Sequence, residues 1–306
     1  MDHNDKICYF NGNYIPLKDA VINIQTHALQ YGTACFGGMR GYWNAEKENI
    51  YIFRLNDHYQ RLCDSAKTLQ MKFNFTQVEF SDIIKNVISK SMWKQNVYLR
   101  PFIYKSDLEL SPRLHNVNDS FALYSLPLND YIDTKKGLKT CVSSWVRLSD
   151  NQIPTRSKAN GGYVNSALAK SEALENGFDE AIFLDARGNL SEATAANIFI
   201  IKNGALHTPD IASSILEGIT RKTIIELAKE SGIEIKERRI SRSELYTADE
   251  IFICGSGVQI SWIKSVDNRI IGNGQIGNIT RHLQDLFFEI VKGNRKEYEA
   301  WLTPVY

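Results

Sequence analysis

The chain has 306 residues, 43% of them hydrophobic and 23% charged, an ordinary globular balance with room for one large domain or two medium ones. Its formal net charge of +1 gives no bulk electrostatic case for a nucleic-acid partner or an anionic membrane surface. No apolar run approaches the roughly 18 residues that span a bilayer. The N-terminus, MDHNDKICYFNGNYIP, is polar and lacks a signal-peptide core, and Cys8, Cys35, Cys63, Cys141 and Cys254 show neither CxxC nor zinc spacing. The expectation is a reduced, cytoplasmic protein with no metal centre.

The opening ICYFNGNYIPL carries the Asn-Gly signal of a tight hairpin, and ENIYIFRL reads as a further strand. NDHYQRLCDSAKTLQM places Leu62, Ala66 and Leu69 at helical spacing. TQVEFSDIIKNVISKSM begins with Thr76 and Glu79 at capping-box spacing and carries an apolar stripe of Ile83, Ile84, Val87 and Ile88. NVYLRPFIY and SFALYSLPL are two strands around a polar loop, 105–119. The polar, turn-rich stretch 128–137 is the best linker, giving domains 1–127 and 138–306. Beyond it, KTCVSSWVRL reads as a strand, and a helix follows Gly161-Gly162 and runs to Gly177. DEAIFLDARGNLSEATAANIFIIKNGALHTP reads as three strands joined by Arg-Gly-Asn and Asn-Gly turns. GITRKTIIELAKESGI is a helix stopping at Gly232, SRSELYTADEIFICGSG a capped helix entering a strand, and IGNITRHLQDLFFEIVKG a last amphipathic helix. Helices and hairpins together predict an α/β or α+β fold with mixed sheets.

Several residues stand where chemistry is possible. Lys158 lies just before two glycines, at the mouth of a helix rather than on its outer face. A lysine attacks a carbonyl only when neutral, or is captured by an aldehyde as a Schiff base. Gly218, Ile219 and Thr220 stand at a helix N-terminus, where free N–H groups and the helix dipole favour an anion such as phosphate. The small residues of CGSG, 254–257, follow a strand and suit an anion-binding nest. Arg54 ends a strand and adds a fixed positive charge. Glu192 lies among Ala and Thr, where burying a carboxylate is costly without a cationic partner. Tyr98 and Arg100, two apart on a strand, point to one face. The glycine-dense HALQYGTACFGGMRGYW holds Tyr31, Phe36, Arg40 and Tyr42. Taken singly, each has a plain reading: surface lysine, helix cap, turn, strand-end arginine, solvent-facing glutamate. Cys35 and Cys254 read as packing residues.

As an ordered set, from about residue 8 to 290, these segments resemble the class IV aminotransferases, the fold type IV pyridoxal-phosphate enzymes, and are most similar to the branched-chain amino-acid aminotransferases. The resemblance implies two domains, a small N-terminal α/β domain and a larger C-terminal α/β pseudo-barrel holding pyridoxal 5'-phosphate. It implies that Lys158 in SKANGGY carries the cofactor as a Schiff base and shuttles the α-proton. It implies that Glu192 in LSEATAANIF pairs with the pyridine nitrogen and that Tyr163 faces the cofactor oxygen. Arg54, Ile219, Thr220 and Ser256 then bind the phosphate. Tyr31, Phe36, Arg40, Tyr98, Arg100, Tyr131, Gly257 and Val258 line the substrate pocket, with Arg100 receiving a γ-carboxylate. A homodimer is implied, in which Tyr31 and loop 105–119 serve the neighbouring site. The substrates implied are Leu, Ile and Val with glutamate and 2-oxoglutarate.

The chain departs from the family pattern at the substrate side. Gly37 in FGGMR stands where Glu is usual, ATAAN replaces GAGEN, and Leu128 takes the place of a tryptophan. The usual small-residue run ending in Glu is GVQ, 257–259, where the backbone N–H groups would receive the α-carboxylate and Val258 would narrow the pocket. D-amino-acid transaminases, amine transaminases and 4-amino-4-deoxychorismate lyase remain the alternatives; YLRP and FGGMRGY favour the branched-chain branch.

Overall fold

A computed structural model describes residues 3–128, 134 and 136–306. In chain order it forms β1 (Ile7–Phe10), β2 (Asn13–Pro16), α1 (His27–Tyr31), β3 (Ala34–Phe36), β4 (Met39–Asn44), β5 (Asn49–Phe53), α2 (Leu55–Thr68), α3 (Gln77–Lys90), β6 (Val97–Lys105) and β7 (Asp119–Pro127). Next come β8 (Leu138–Val142), α4 (Tyr163–Glu175), β9 (Glu180–Leu184), β10 (Leu190–Ala193), β11 (Asn197–Lys202), β12 (Ala205–Thr208) and α5 (Ile219–Glu230). The chain closes with β13 (Ile235–Glu237), α6 (Arg242–Thr247), β14 (Glu250–Gly255), β15 (Gln259–Val266), β16 (Arg269–Ile270), α7 (Asn278–Val291) and β17 (Leu302–Pro304). It divides into two compact units. The first holds Met1–Asn129, Ser157–Gly161 and Glu289–Tyr306; the second holds Asp130–Arg156 and Gly162–Phe288.

The first unit is an antiparallel sheet in the order β17-β5-β4-β6-β7-β1-β2, with β3 also paired to β6. Asn11 and Gly12 take positive φ and turn the β1–β2 hairpin, as their sequence predicts. In α3 the side chain of Thr76 accepts from Glu79 N–H and Glu79 reaches back to Thr76 N–H, which completes the expected capping box. The stripe Ile83, Ile84, Val87 and Ile88 packs with Leu62 and Ala66 of α2 against Met39, Ile50, Ile52, Val97, Leu99 and Ile103 of the sheet. Strand β6 alternates at its start: Val97, Leu99 and Pro101 are buried while Tyr98, Arg100 and Phe102 share the opposite face.

The second unit is a mixed sheet in the order β10-β9-β8-β15-β14-β11-β12-β13, with β16 on β15. Strand β8 runs parallel to β9 and β15, and β12 runs parallel to β13. Helices α4 and α5 end just before Gly177 and Gly232, both at positive φ. Two strand expectations change. KTCVSSWVRL is extended only to Val142, because Ser143 Oγ and Ser144 N–H turn to the Glu172 carboxylate on α4 at 2.6 and 3.1 Å. The 180–208 region makes four strands, since a bond from Ala193 N–H to Ala196 C=O closes a turn that sends β10 to β9 and β11 to β14. Strand β17 had no signal in the sequence.

Candidate active site

In the first unit, Lys158 is fixed through its backbone. Its N–H donates to Ser65 Oγ of α2 at 3.1 Å, its C=O accepts from Phe36 N–H of β3 at 3.1 Å, and Ala159 bridges Cys35. Gly161 N–H reaches the Gly32 carbonyl at 3.1 Å, and a Cβ on Gly32 would stand 2.9 Å from Gly161 Cα. The missing side chain of Gly32 therefore permits its backbone to lie against the segment after Lys158. The side chain of Lys158 is half-buried, with Nζ 4.9 Å from the centre of the Phe36 ring.

Phe36 also carries Arg100, whose guanidinium carbon lies 4.2 Å from the same ring centre. Arg100 donates to Tyr98 Oη at 3.2 Å. Gly38 leaves room for that hydroxyl, since a Cβ there would stand 2.2 Å from it. Lys158, Phe36, Tyr98 and Arg100 are thus brought together. Arg40, buried, sits opposite Tyr98 in the sheet and donates to the Leu128 carbonyl at 3.1 Å. Gly37, where the family pattern has Glu, is closed by Pro101, whose Cγ lies 2.8 Å from the place of a Cβ. Tyr31 ends α1, partly exposed, with its ring against His27.

Arg54 stands at the N-cap of α2 in a left-handed conformation, φ 49°, and is buried. Its guanidinium meets Asp57 at 3.2 Å and the Trp301 ring at 3.8 Å. One turn on, His58 is buried, and its Nδ1 has no hydrogen-bond partner among the described residues. Burial, then the positive charges of Arg61 and Lys158, hold His58 well below the usual imidazole range, so it stays neutral.

In the second unit, Glu192 is buried on β10 and has the cationic partner that its burial demands. Arg147 meets Oε1 at 2.7 Å, while Asn197 Nδ2 and Leu216 N–H donate to Oε2 at 3.1 Å each. Asn197 also donates to the Leu216 carbonyl at 2.9 Å, and a Cβ on Gly218 would overlap its Oδ1 at 2.0 Å. One asparagine therefore ties Glu192 to the α5 N-terminus, where Ile219 and Thr220 are buried in the first turn. Asn197 pairs with Cys254 across β11 and β14, which brings the 255–258 turn to the same end of the sheet. Ser256 and Gly257 are half-buried there. Val258 corrects one expectation: its side chain lies in the apolar core with Ile198, Ile253 and Ile263, so only its backbone is left for a ligand. Tyr163 opens α4 and is half-buried. Tyr131 lies outside the described residues, as does most of the 128–137 linker.

Arg147, Asn197, Trp301 and His58 were not singled out from sequence. The burial cost of Glu192 asked for a cation, but nothing local named Arg147, 45 positions away. Cys35 and Cys254 are packing residues as expected: burial pushes the Cys35 thiol up to about 12 and that of Cys254 up further.

The model of the family described as amino-transferase class IV matches residues 34–266. The chain belongs to the class IV aminotransferases. It is 47% identical, over 97% of its length and 96% of the relative's, to an Aquifex aeolicus protein described as "Probable branched-chain-amino-acid aminotransferase". It is similar to the branched-chain amino acid aminotransferase of Thermobaculum terrenum in its PLP-form, at 38% identity and TM-score 0.95 over all of both chains. It is also similar to the branched-chain aminotransferase of the thermophilic archaeon Thermoproteus uzoniensis with norvaline, at 37% identity and TM-score 0.94 over 98% of this chain and 99% of that one.

Proposed function

We propose that this aminotransferase uses pyridoxal 5'-phosphate to exchange the amino group between branched-chain L-amino acids and 2-oxoglutarate. The observation that carries the reading is the Phe36 ring, against which both Lys158 Nζ and the Arg100 guanidinium lie. An amine beside an aromatic wall suits an aliphatic side chain, and the Arg100 charge suits the γ-carboxylate of glutamate. The residues fit the cofactor. Gly218 and the α5 N-terminus offer first-turn backbone N–H groups to a phosphate. Arg54 supplies a buried positive charge, and Glu192 a braced buried carboxylate.

Pyridoxal 5'-phosphate, when bound, supplies an aldehyde that condenses with amines and a ring that accepts the electrons of the Cα–H bond. Lys158 Nζ is the amine that would hold the aldehyde and, when free, would carry the Cα proton. Glu192 orients the ring nitrogen and favours its protonated form, and Arg147 holds Glu192 in place. Tyr163 takes the ring oxygen. Arg54, Ile219, Thr220 and Ser256 hold the phosphate. Tyr31, Arg40, Tyr98, Tyr131 and the backbone of Gly257 and Val258 complete substrate binding.

Exposed apolar residues in the 21–31 and 108–110 segments, among them Ile24 and Leu110, support a homodimer in which Tyr31 and the 105–119 loop serve the partner's site. Five free cysteines support a cytoplasmic location. The test is spectral. The purified protein carries a visible cofactor band that L-leucine bleaches and 2-oxoglutarate restores. Bleaching by D-alanine and not L-leucine would assign it to D-amino-acid transamination, and pyruvate release from aminodeoxychorismate without an acceptor would make it a lyase. Light scattering reads the dimer.

A further inference from the structure

We infer that Trp301, near the C-terminus, is a positioning residue for Arg54, so that the C-terminal segment of the chain forms part of the phosphate clamp; this rests on the phosphate role proposed for Arg54. Two independent contacts from Trp301 converge on that arginine. The Trp301 carbonyl accepts from Arg54 N–H at 2.7 Å, and the indole face lies 3.8 Å from the guanidinium carbon. The indole is itself held by Tyr298, ring centres 4.7 Å apart, and by Phe53 edge-on at 6.3 Å. Strand β17, which follows at once, zips to β5 through Leu302–Phe53, Thr303–Ile52 and Pro304–Tyr51 and so fixes the register of Trp301 beside Arg54.

The backbone of Arg54 shows that its placement matters. A residue with a Cβ is disfavoured in the left-handed region, and glycine or asparagine fills most such positions. Arginine stands there all the same, at φ 49° and ψ 46°, between a strand and a helix. The Trp301 carbonyl secures the strained N–H, and His58 N–H donates back to the Arg54 carbonyl at 3.1 Å. Along the side chain, Asp57 takes one terminal nitrogen and the indole covers a face of the planar group. A guanidinium fixed in this way has lost its rotamer freedom before any anion arrives, and binding then avoids that entropy loss.

The experiment uses the full-length holoenzyme, stripped of cofactor by dialysis and retitrated with pyridoxal 5'-phosphate and, separately, with pyridoxal, which lacks the phosphate. Trp301→Leu is expected to weaken pyridoxal 5'-phosphate binding about tenfold, the factor of a partly desolvated cation–π contact, while changing pyridoxal binding less than about twofold. Trp301→Phe keeps a ring over the guanidinium and is expected to recover most of the affinity. Arg54→Leu serves as the reference and should weaken the phosphorylated ligand more than either. An unchanged affinity in Trp301→Leu, with Arg54→Leu impaired, overturns the inference alone, as does equal weakening of both ligands. An unimpaired Arg54→Leu removes the phosphate role of Arg54 and the inference with it. A wild-type protein that takes up neither ligand overturns the functional reading itself. Should Trp301→Leu fail to fold, Trp301→Met, which also removes the ring over the guanidinium, takes its place: a loss against the phosphorylated ligand alone supports the inference, and an unchanged ratio of the two affinities refutes it.

Discussion

Replacing Arg147 by leucine isolates the ion pair beneath Glu192. Both side chains are well buried, 14% exposed for Arg147 and 6% for Glu192, so the weak energies of surface ion pairs do not apply. Removing one partner of a buried pair costs about 3–5 kcal/mol, because the remaining charge has no compensation. Asn197 and Leu216 still donate to Oε2, which argues for the lower end, about 3 kcal/mol. A unit of this size shifts about 2–4 °C per kcal/mol, so its melting midpoint should fall by about 6–12 °C. Protonation of the stranded carboxylate would relieve the penalty, so the deficit should shrink from pH 7.5 to pH 5. The assay is thermal unfolding of the cofactor-free protein at both pH values. Arg147→Leu combined with Glu192→Gln should regain more than half of the loss, since no charge is then left unpaired. A single variant within about 1 °C of wild type would refute the reasoning, as would a double variant no better than the single.

Lys158→Ala should abolish both the visible cofactor band and transamination while leaving the melting midpoint within about 2 °C, because its backbone bonds survive. Gly218→Ala should lower the midpoint by about 4 °C or more, since its Cβ meets Asn197 Oδ1 at 2.0 Å. Gly257→Ala, with open space around its Cβ, should leave the midpoint in place and raise KM for the amino acid. Asp267 accepts from Tyr246 Oη, Val142 N–H and Arg242; burial alone would raise its pKa, but these three donors together hold it below the usual carboxylate range. A depressed folded pKa contributes stability above the unfolded value of about 3.9 that is lost as pH falls, so Asp267→Asn should lose about 1–3 kcal/mol at pH 7 by urea titration and much less near pH 3. His58, also depressed but a base, makes the folded state resist protonation below about pH 6.5; wild type should lose about 1.4 kcal/mol between pH 7.5 and 5.5 that His58→Gln does not lose.

What the sequence disclosed depended on distance along the chain. The Thr76–Glu79 capping box, the Asn11-Gly12 turn, the helix stops at Gly177 and Gly232, and the shared face of Tyr98 and Arg100 all involve neighbours within four residues, and all four are present. Arg147 and Trp301 act on Glu192 and Arg54 across 45 and 247 positions, and nothing in their own neighbourhoods marks them among ordinary arginines and tryptophans. The strand reading of KTCVSSWVRL fails for the same reason: its β-like composition is overridden by a carboxylate on α4, 28 positions away. The expectation that Val258 would narrow the pocket comes from the family pattern, whereas the turn before β15 places its side chain in the core.

The role proposed for Lys158 makes two opposed demands. A lysine that anchors a cofactor and then carries a proton must keep its backbone still and its side chain able to move. A helix would fix the backbone but would also commit the side chain to a helical rotamer set and a neighbouring turn. Here Lys158 lies two residues before the short 3-10 turn Asn160–Gly162 that leads into α4, and the fixing comes from outside: its N–H donates to Ser65 Oγ, its carbonyl accepts from Phe36 N–H, and Cys35 bridges the next residue. Gly32 then lets the chain at Gly161 lie against it, an approach that a side chain on Gly32 would obstruct at 2.9 Å. Lys158 Nζ meanwhile lies over the Phe36 ring, a contact weaker and less directional than an ion pair. Ser65→Ala therefore separates the two demands: it removes the backbone anchor of Lys158 and leaves the amine intact, so cofactor capture should persist while kcat falls, and a kcat equal to wild type would show that the anchor plays no part in the proton transfer.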